Sequence, residues 1–254
     1  MNKSVEKLKC LYEKSSKHSH YQILASSLNE IIENNDLCIK SRYERERLEY
    51  IVSILDPTSK KILDIGGNTG FFTFELIKLG AELVTYYEGN QEHAHFVEEA
   101  SYLLEYDNQI IIHNEYLSFQ NELVREKYDI VLLLNVLHHI GDDYGDKKLS
   151  IENAKKQIVK SVNNLVHSSE YLVMQLGFCW KGDKNKTLFE NGTKKEMIDY
   201  LIQGIRNYWD VIDIGIPEQI ENAIKYVKLN HDNIKRDDSL GEFLNRPIFV
   251  LKSK

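Results

Sequence analysis

The chain has few of the residues and segments that mark linkers, disulfides or membrane spans. Only 3 of its 254 residues are proline, which argues against flexible linkers. Its three cysteines, Cys10, Cys38 and Cys179, are odd in number and widely spaced, with no metal-binding spacing. No apolar run reaches the roughly 18 residues of a membrane span, and the first residues contain no apolar signal region. We therefore expect a cytoplasmic protein with reduced thiols and no membrane partner.

An excess of basic residues is also missing. The 32 Lys and Arg residues are outnumbered by 39 Asp and Glu residues, which gives a net charge of −7. This balance does not favour a nucleic-acid partner. The length allows one large core, or one core with a small cap, and we expect a helical cap or lid over residues 1–56 and a core over residues 57–254. Nothing in the pattern indicates the oligomeric state.

After residue 56 the chain alternates between strand-like and helix-like segments, which predicts an α/β fold with parallel strands and right-handed crossovers. The predicted strands are 61–65, 82–87, 109–113, 128–134, 169–176, 208–214 and 246–252. The predicted helices are 3–15, 20–34, 41–55, 70–79, 91–105, 119–126, 148–167, 193–206 and 217–229.

The most informative segment is the turn that follows the first predicted strand. An apolar run ends in Asp64, glycines follow at positions 66, 67 and 70, and Phe71 begins a run with helical spacing. A strand, a tight turn and a helix in this order bring backbone N–H groups and a helix N-terminus against a ligand. The segment therefore predicts a nucleotide-type site.

The spacing of the glycines discriminates between two kinds of nucleotide site. A dinucleotide site needs G-x-G-x-x-G, but Gly66 and Gly70 are four positions apart, with Asn68 between them. The turn instead resembles motif I of the class I S-adenosylmethionine (SAM) dependent methyltransferases. Asn68 replaces the middle glycine of that motif, and Asn tolerates a left-handed backbone.

Two later strand ends match the same resemblance. Glu88 ends the second strand, 24 positions after Asp64, where an acid accepts hydrogen bonds from the ribose hydroxyls of a nucleoside, and Gly89 follows it. The third strand is followed by Asn114 and Glu115. In the family, an acid or amide at this point binds the adenine amino group, and either residue fits.

The segment 128–140 is an apolar strand followed by Asn135 and the pair His138-His139. It closely resembles the D-x-V-x-x-x-x-V-L-H-H-I motif of small-molecule SAM methyltransferases. The resemblance implies that Asn135 contacts the methionine or sulfonium end of SAM. Adjacent histidines point to different sides, so we expect at most one to face the site and the other to be packed.

The resemblance implies a Rossmann-like, mostly parallel sheet of seven strands in the order 3-2-1-4-5-7-6, with the last strand antiparallel. It also implies that the N-terminal helices form a lid over the SAM site. The polar segment 15–22 contains His18, His20 and Tyr21, and the next helix begins near Arg42, a candidate for binding the SAM carboxylate.

Candidate residues for the bound molecules follow from these motifs. The cofactor-binding candidates are Asp64, Gly66, Gly67, Asn68, Gly70, Glu88, Gly89, Asn114, Glu115, Asn135, Tyr21 and Arg42. The candidates for the general base are His138, His139, His18 and His20. Gln175 and Trp180, at the exit of the fifth strand, and Arg246, at the start of the last, are the candidates for binding the acceptor. No metal site is expected.

The expected function is methyl transfer from SAM to a small polar acceptor, with S-adenosylhomocysteine as the second product. The resemblance extends to methyltransferases of surface-polysaccharide and secondary-metabolite pathways, and implies an oxygen of a sugar or phosphate-type building block. Two alternatives stay open. One is a tRNA or protein methyltransferase, and the other is a SAM-binding subunit without catalytic activity.

Overall fold

The computed structural model describes residues 3–14, 18–32, 37, 39–119 and 126–254. Most of the predicted helix 119–126, the last two residues of the predicted helix 20–34, Cys38 and residues 15–17 of the polar segment lie outside these ranges. None of the helices in the described part of the chain has both the length and the apolar composition needed to cross a membrane.

The described residues form an α/β fold with seven α-helices and eight strands. The helices are α1 (Lys3–Glu13), α2 (Ser26–Asn29), α3 (Glu44–Ile54), α4 (Phe71–Lys78), α5 (Gln91–Leu103), α6 (Ile151–Asn164) and α7 (Lys194–Ile205). The strands are β1 (Lys61–Ile65), β2 (Leu83–Tyr87), β3 (Ile110–His113), β4 (Tyr128–Leu134), β5 (Ser169–Gln175), β6 (Trp209–Ile220), β7 (Ala223–Lys228) and β8 (Ile248–Ser253).

The chain divides into two compact units, of which the first comprises Met1–Leu48 and Leu55–Leu117. Its strands lie in the order β3-β2-β1, and both pairs are parallel, as predicted. Helices α4 and α5 connect them and bury apolar side chains such as Phe74 and Phe96. The parallel arrangement brings the carboxyl ends of β1 and β2 to the same edge, because Ile65 is opposite Tyr87.

The second unit comprises Glu49–Ile54 and Ser118–Lys254. Its strands lie in the order β4-β5-β8-β6-β7; β4 and β5 are parallel, and β8 is antiparallel to both of its neighbours. The predicted insertion of an antiparallel last strand beside the sixth is therefore confirmed. The expected boundary at residue 56 and the cap over residues 1–56 stay predictions.

The prediction of a helix over residues 217–229 is wrong, and the described residues contain eight strands instead of the predicted seven. Strand β6 continues to Ile220, and β7 pairs with it as an antiparallel hairpin. A two-residue turn closes the hairpin, with Glu221 at a φ of 58°. Pro217 has no N–H to donate to a neighbouring strand. It is tolerated because β6 pairs with β8 only up to Gly215, so no hydrogen bond to β8 is needed at this position.

The predicted helix 20–34 is also largely wrong, since only the short α2 forms in its described part. His20 has a left-handed backbone, with a φ of 61°. The side chain and the carbonyl of Gln22 both form hydrogen bonds with distant residues. Tertiary hydrogen bonds therefore replace the helical ones that the apolar spacing had suggested.

Candidate functional site

The glycine turn after β1 lies in the first unit and has three left-handed residues. Gly66, Asn68 and Gly70 have φ values of 71°, 53° and 77°. The amide of Gly66 donates to the carbonyl of Tyr87 at 2.8 Å, which ties the turn to the end of β2. Asn68 thus takes the left-handed conformation that its identity allowed.

Gly67 is needed for close packing beneath this turn. A β-carbon at this position would lie 2.5 Å from Cε2 of Tyr86 and 2.9 Å from Oδ2 of Asp64. Asp64 is buried and accepts a hydrogen bond from the Thr73 hydroxyl at 2.7 Å. Burial raises its pKa to about 6, against the opposing effect of Thr73. Asp64 therefore supports the turn from below, and its part in cofactor binding stays a prediction.

Glu88 joins the end of β2 directly to the glycine turn. Its Oε2 accepts from the amide of Asn68 at 2.9 Å, and its Oε1 accepts from the amide of Asn90 at 2.8 Å. Only 8% of the residue is exposed, and this burial raises its pKa to about 7 despite the two hydrogen bonds. Each carboxylate oxygen keeps a lone pair for a further donor such as a ribose hydroxyl.

The N-terminal segment also contacts the glycine turn. Oε1 of Gln22 accepts from the amide of Phe71 at 2.9 Å and from the hydroxyl of Thr69 at 3.2 Å. The side-chain amide of Asn68 donates to the carbonyl of His18 at 3.1 Å. Gln22 was not among the predicted site residues, although it belongs to the polar segment that contains His18, His20 and Tyr21.

Two predicted cofactor-binding residues of this region lie together. The guanidinium of Arg42 lies 4.7 Å from the ring centre of Tyr21, a cation–π distance. His18 lies beside the same ring at 6.4 Å, whereas the His20 ring meets the edge of Tyr12 at 5.7 Å. The roles proposed for these residues remain predictions.

The end of β3 places both adenine candidates at the surface. Asn114 and Glu115 are exposed, and Oε1 of Glu115 lies 3.9 Å from Nδ1 of His113. The His113 ring stacks on Tyr87 at 4.3 Å. The ring of Tyr116 covers Gly89, where any β-carbon would overlap it. Both candidates stay open.

The second unit contains a hydrogen-bonded group at the end of β4. Asn135 is left-handed, with a φ of 62°. Its Oδ1 accepts from Nη1 of Arg246 at 2.9 Å, and its Nδ2 donates to Oε1 of Gln175 at 2.8 Å. Gln175 is 1% exposed and also donates to the carbonyl of Arg246 at 3.0 Å. The contact of Asn135 with a cofactor stays a prediction.

Arg246 is held on a second side by Glu242, four residues earlier. Its Nε lies 3.0 Å from Oε1 of Glu242, and its Nη2 lies 2.5 Å from Oε2. Burial alone would raise the pKa of Glu242, but the hydrogen bonds and charge of Arg246 hold it below its usual value. Much of the hydrogen-bonding capacity of Arg246 and Gln175 is thus used within the protein, and acceptor binding by them stays a prediction.

The histidine pair and Trp180 lie in the loops that follow β4 and β5. His138 is 4% exposed, and its Nδ1 accepts from the amide of Gly177 at 3.3 Å. Nδ1 of His139 lies 3.6 Å from Oδ2 of Asp143, a partner that the sequence analysis missed although it is four residues further on. The indole of Trp180 donates to the carbonyl of Ile140 at 2.6 Å.

Comparison with known proteins gives the fold family of the chain. No protein-family model matches it, and no curated protein sequence matches it. The bifunctional kinase–methyltransferase WbdD superposes with a TM-score of 0.60 at 14% identity, over 98% of this chain and 46% of WbdD. The chain therefore spans less than half the length of WbdD.

Two shorter proteins are covered almost completely. Magnesium protoporphyrin IX methyltransferase from Synechocystis PCC 6803, solved with bound SAM, has a TM-score of 0.50 at 13% identity, over 100% of this chain and 99% of that one. A protein from Listeria monocytogenes described as a SAM-dependent methyltransferase also has a TM-score of 0.50, at 12% identity, over 82% and 96%. The chain thus has the Rossmann-like fold of SAM-dependent methyltransferases.

Proposed function

We propose that this protein is a SAM-dependent methyltransferase that methylates an oxygen of a small polar acceptor. The proposal depends mainly on the contact between the glycine turn and the acid that ends β2. The amide of Asn68 donates to a carboxylate oxygen of Glu88 at 2.9 Å, so the turn and the acid lie side by side on one surface. The packing at Gly67 leaves no space for a side chain on the Tyr86 side of the turn. A nucleoside on the opposite side meets the backbone of the turn and the carboxylate of Glu88.

The residues of the first unit fit an adenosyl group. Glu88 accepts hydrogen bonds from the ribose hydroxyls, and Asn114 or Glu115 binds the adenine amino group. The backbone of residues 66–70 approaches the amino-acid portion, since Gly66 and Gly70 have no side chain in the way. Arg42 is a candidate for the carboxylate, because a guanidinium binds a carboxylate through two parallel hydrogen bonds.

Bound SAM supplies a methyl group on a positively charged sulfur, which is already activated for transfer. The protein therefore needs to align the acceptor, exclude water and remove the proton of the acceptor hydroxyl. We propose a sugar or phosphate-type building block of a surface polysaccharide as the acceptor. This choice is supported by the resemblance of the segment 128–140 to small-molecule methyltransferases, and by the net charge of −7, which disfavours a nucleic acid.

The test is a methyl-transfer assay with tritiated SAM and four acceptor classes: sugar monophosphates, nucleotide sugars, total tRNA and a mixed protein fraction. We expect S-adenosylhomocysteine to form only with the first two classes. Glu88→Gln is expected to lose activity, and Glu92→Gln, a nearby acid on α5, to retain it. Transfer to tRNA or protein alone would contradict the acceptor class. SAM binding without transfer to any class would indicate a non-catalytic subunit.

A further inference from the structure

The adjacent histidines after β4 have different chemical surroundings. Leu137–His139 form a short 3₁₀ turn, and the two imidazole rings lie 4.3 Å apart at an angle of 43°. We propose that they are opposite tautomers, and that His139, oriented by Asp143, accepts the proton of the methyl acceptor while His138 is structural. The catalytic half of this proposal rests on the proposed function, whereas the tautomers do not.

His138 is fixed as a neutral ring with its hydrogen on Nε2. Its Nδ1 accepts the amide hydrogen of Gly177 at 3.3 Å, and a nitrogen that accepts a hydrogen bond has no hydrogen of its own. The ring also packs against the backbone, because a β-carbon at Gly177 would lie 3.0 Å from its Cγ and Cδ2. A proton added to Nδ1 would point at the hydrogen of the Gly177 amide. His138 is therefore unsuited to taking up a proton at Nδ1.

His139 has a carboxylate beside the same ring atom. Its Nδ1 lies 3.6 Å from Oδ2 of Asp143, and the two side chains are only 12% and 11% exposed. The amide of Asp143 donates to the carbonyl of His139 at 3.2 Å, so the turn itself brings the pair together. A carboxylate facing Nδ1 stabilises the tautomer with hydrogen on Nδ1 and makes Nε2 the basic atom.

The separation of 3.6 Å is longer than a hydrogen bond, which is common for catalytic pairs before a substrate is bound. The loop after β5 lies beside the ring, since a β-carbon at Gly182 would be 3.8 Å from Cε1 of His139. Trp180 fixes this loop by its bond to Ile140. The pair thus lies at the carboxyl ends of the parallel strands β4 and β5, where ligands of such sheets bind.

The proton of the acceptor is taken up by His139, and the positive charge that results is balanced by Asp143. The O–H bond of the acceptor breaks as an N–H bond forms at Nε2 of His139. The acceptor oxygen keeps the electron pair of that bond and uses it to bond to the methyl carbon, while the bond between this carbon and the SAM sulfur breaks and leaves its electrons on the sulfur, which becomes neutral. The imidazolium that results is stabilised by the negative charge of Asp143, which is the role of the carboxylate in a Ser-His-Asp triad. Asp143 is therefore a positioning residue, and His139 is the catalytic one.

The tautomers are tested by two-bond ¹H–¹⁵N correlation spectra of protein labelled at histidine, with His138→Gln and His139→Gln used for assignment. We expect the neutral form of His138 to have its hydrogen on Nε2 and that of His139 to have it on Nδ1. Finding the hydrogen of His139 on Nε2 would overturn the proposal, whatever the protein binds.

A matched pair of variants tests the role of Asp143. Asp143→Ala is expected to shift His139 toward the Nε2–H tautomer without changing the signals of His138. Asp142→Ala makes the same change one position away, where the amide also donates to the carbonyl of His139, at 2.9 Å. We expect Asp142→Ala to leave both tautomers unchanged. An equal effect of the two variants would contradict the assignment.

Measurements of turnover distinguish a failure of the catalytic role of His139 from a failure of the proposed function. With any acceptor that the wild-type protein methylates, His139→Ala is expected to lower kcat by about 10²–10⁴-fold and to leave the Kd for SAM within about twofold. Added imidazole should restore part of the rate. An unchanged kcat would refute His139 as the proton acceptor, whereas a wild-type protein that binds no SAM would refute the proposed function itself.

Discussion

The affinity of the site for an adenosyl ligand should depend on pH through Glu88. Its carboxyl has a pKa of about 7, because it is buried. The ionised carboxylate accepts hydrogen bonds from both ribose hydroxyls, so the ligand binds this form more tightly. When Glu88 is protonated in the free protein, binding therefore releases its proton. From pH 8 to pH 6 the ionised fraction falls from about nine-tenths to about one-tenth, and the affinity should fall about tenfold.

The ligand for this measurement is 5′-methylthioadenosine, which retains the adenine and ribose but has no amino-acid group that titrates between pH 6 and pH 8. Isothermal titration calorimetry at pH 6, 7 and 8 should give the tenfold change for the wild-type protein. Glu88→Gln is expected to bind about tenfold more weakly at pH 8, on the scale of a lost charge-assisted hydrogen bond, and to show no change with pH.

A matched control is Glu92→Gln, which removes a nearby, more exposed acid of α5 and should keep the pH dependence of the wild-type protein. The same titrations with 2′-deoxyadenosine and adenosine show whether the 2′-hydroxyl is involved. Its removal should weaken binding to the wild-type protein more than to Glu88→Gln. A pH dependence that persists in Glu88→Gln would refute the assignment of the ribose to this carboxylate.

Three further predictions concern stability, measured by urea unfolding. Gly67→Ala should cost about 1–3 kcal/mol, because its β-carbon would lie 2.5 Å from the Tyr86 ring. Thr193→Ala removes the N-cap of α7 and should cost about 1 kcal/mol, whereas Thr193→Ser should not. The Glu88 carboxyl loses its proton at a lower pH in the unfolded chain than in the folded protein, where burial raises its pKa to about 7. As the pH rises from 4 to 8, the free energy of unfolding of the wild-type protein should therefore fall by about 3 kcal/mol relative to that of Glu88→Gln.

The elements that the sequence predicts correctly are those whose structure depends on residues close to one another in the chain. The segment 61–78 contains an apolar strand, glycines where the backbone is left-handed, and an aromatic helix. Each of these is a local preference, and the structure has β1, the turn and α4 at the expected positions. The strand order of each unit is implied by the family resemblance, because the spacing of strands and helices along the chain does not supply it.

The hairpin β6–β7 could not be predicted in the same way. Its turn at Glu221 has no glycine to signal a left-handed residue, and apolar side chains in 217–229 also fit a helix. The first part of β6, up to Gly215, pairs with β8, more than 30 residues later in the chain, and the hairpin continues this strand beyond its pairing with β8. Long-range pairing of this kind overrides local preference, and a single sequence does not show it.

The partners of the site residues were missed for a related reason. Gln22 is 49 positions from Phe71, and Asn135 is 111 positions from Arg246, so no spacing rule connects them. Asp143 and Glu242 are different, because each lies four residues from its partner. Such a spacing is common on any exposed turn, and only the structure shows that these pairs are partly buried.

The most direct test of the account is calorimetric titration of the purified protein with SAM, S-adenosylhomocysteine and NAD at pH 8. The glycine spacing and Glu88 predict that both adenosyl ligands bind with a Kd of about 1–100 µM and that NAD does not bind. Binding of NAD alone, or no binding of either adenosyl ligand, would contradict the proposal that this turn is a SAM site.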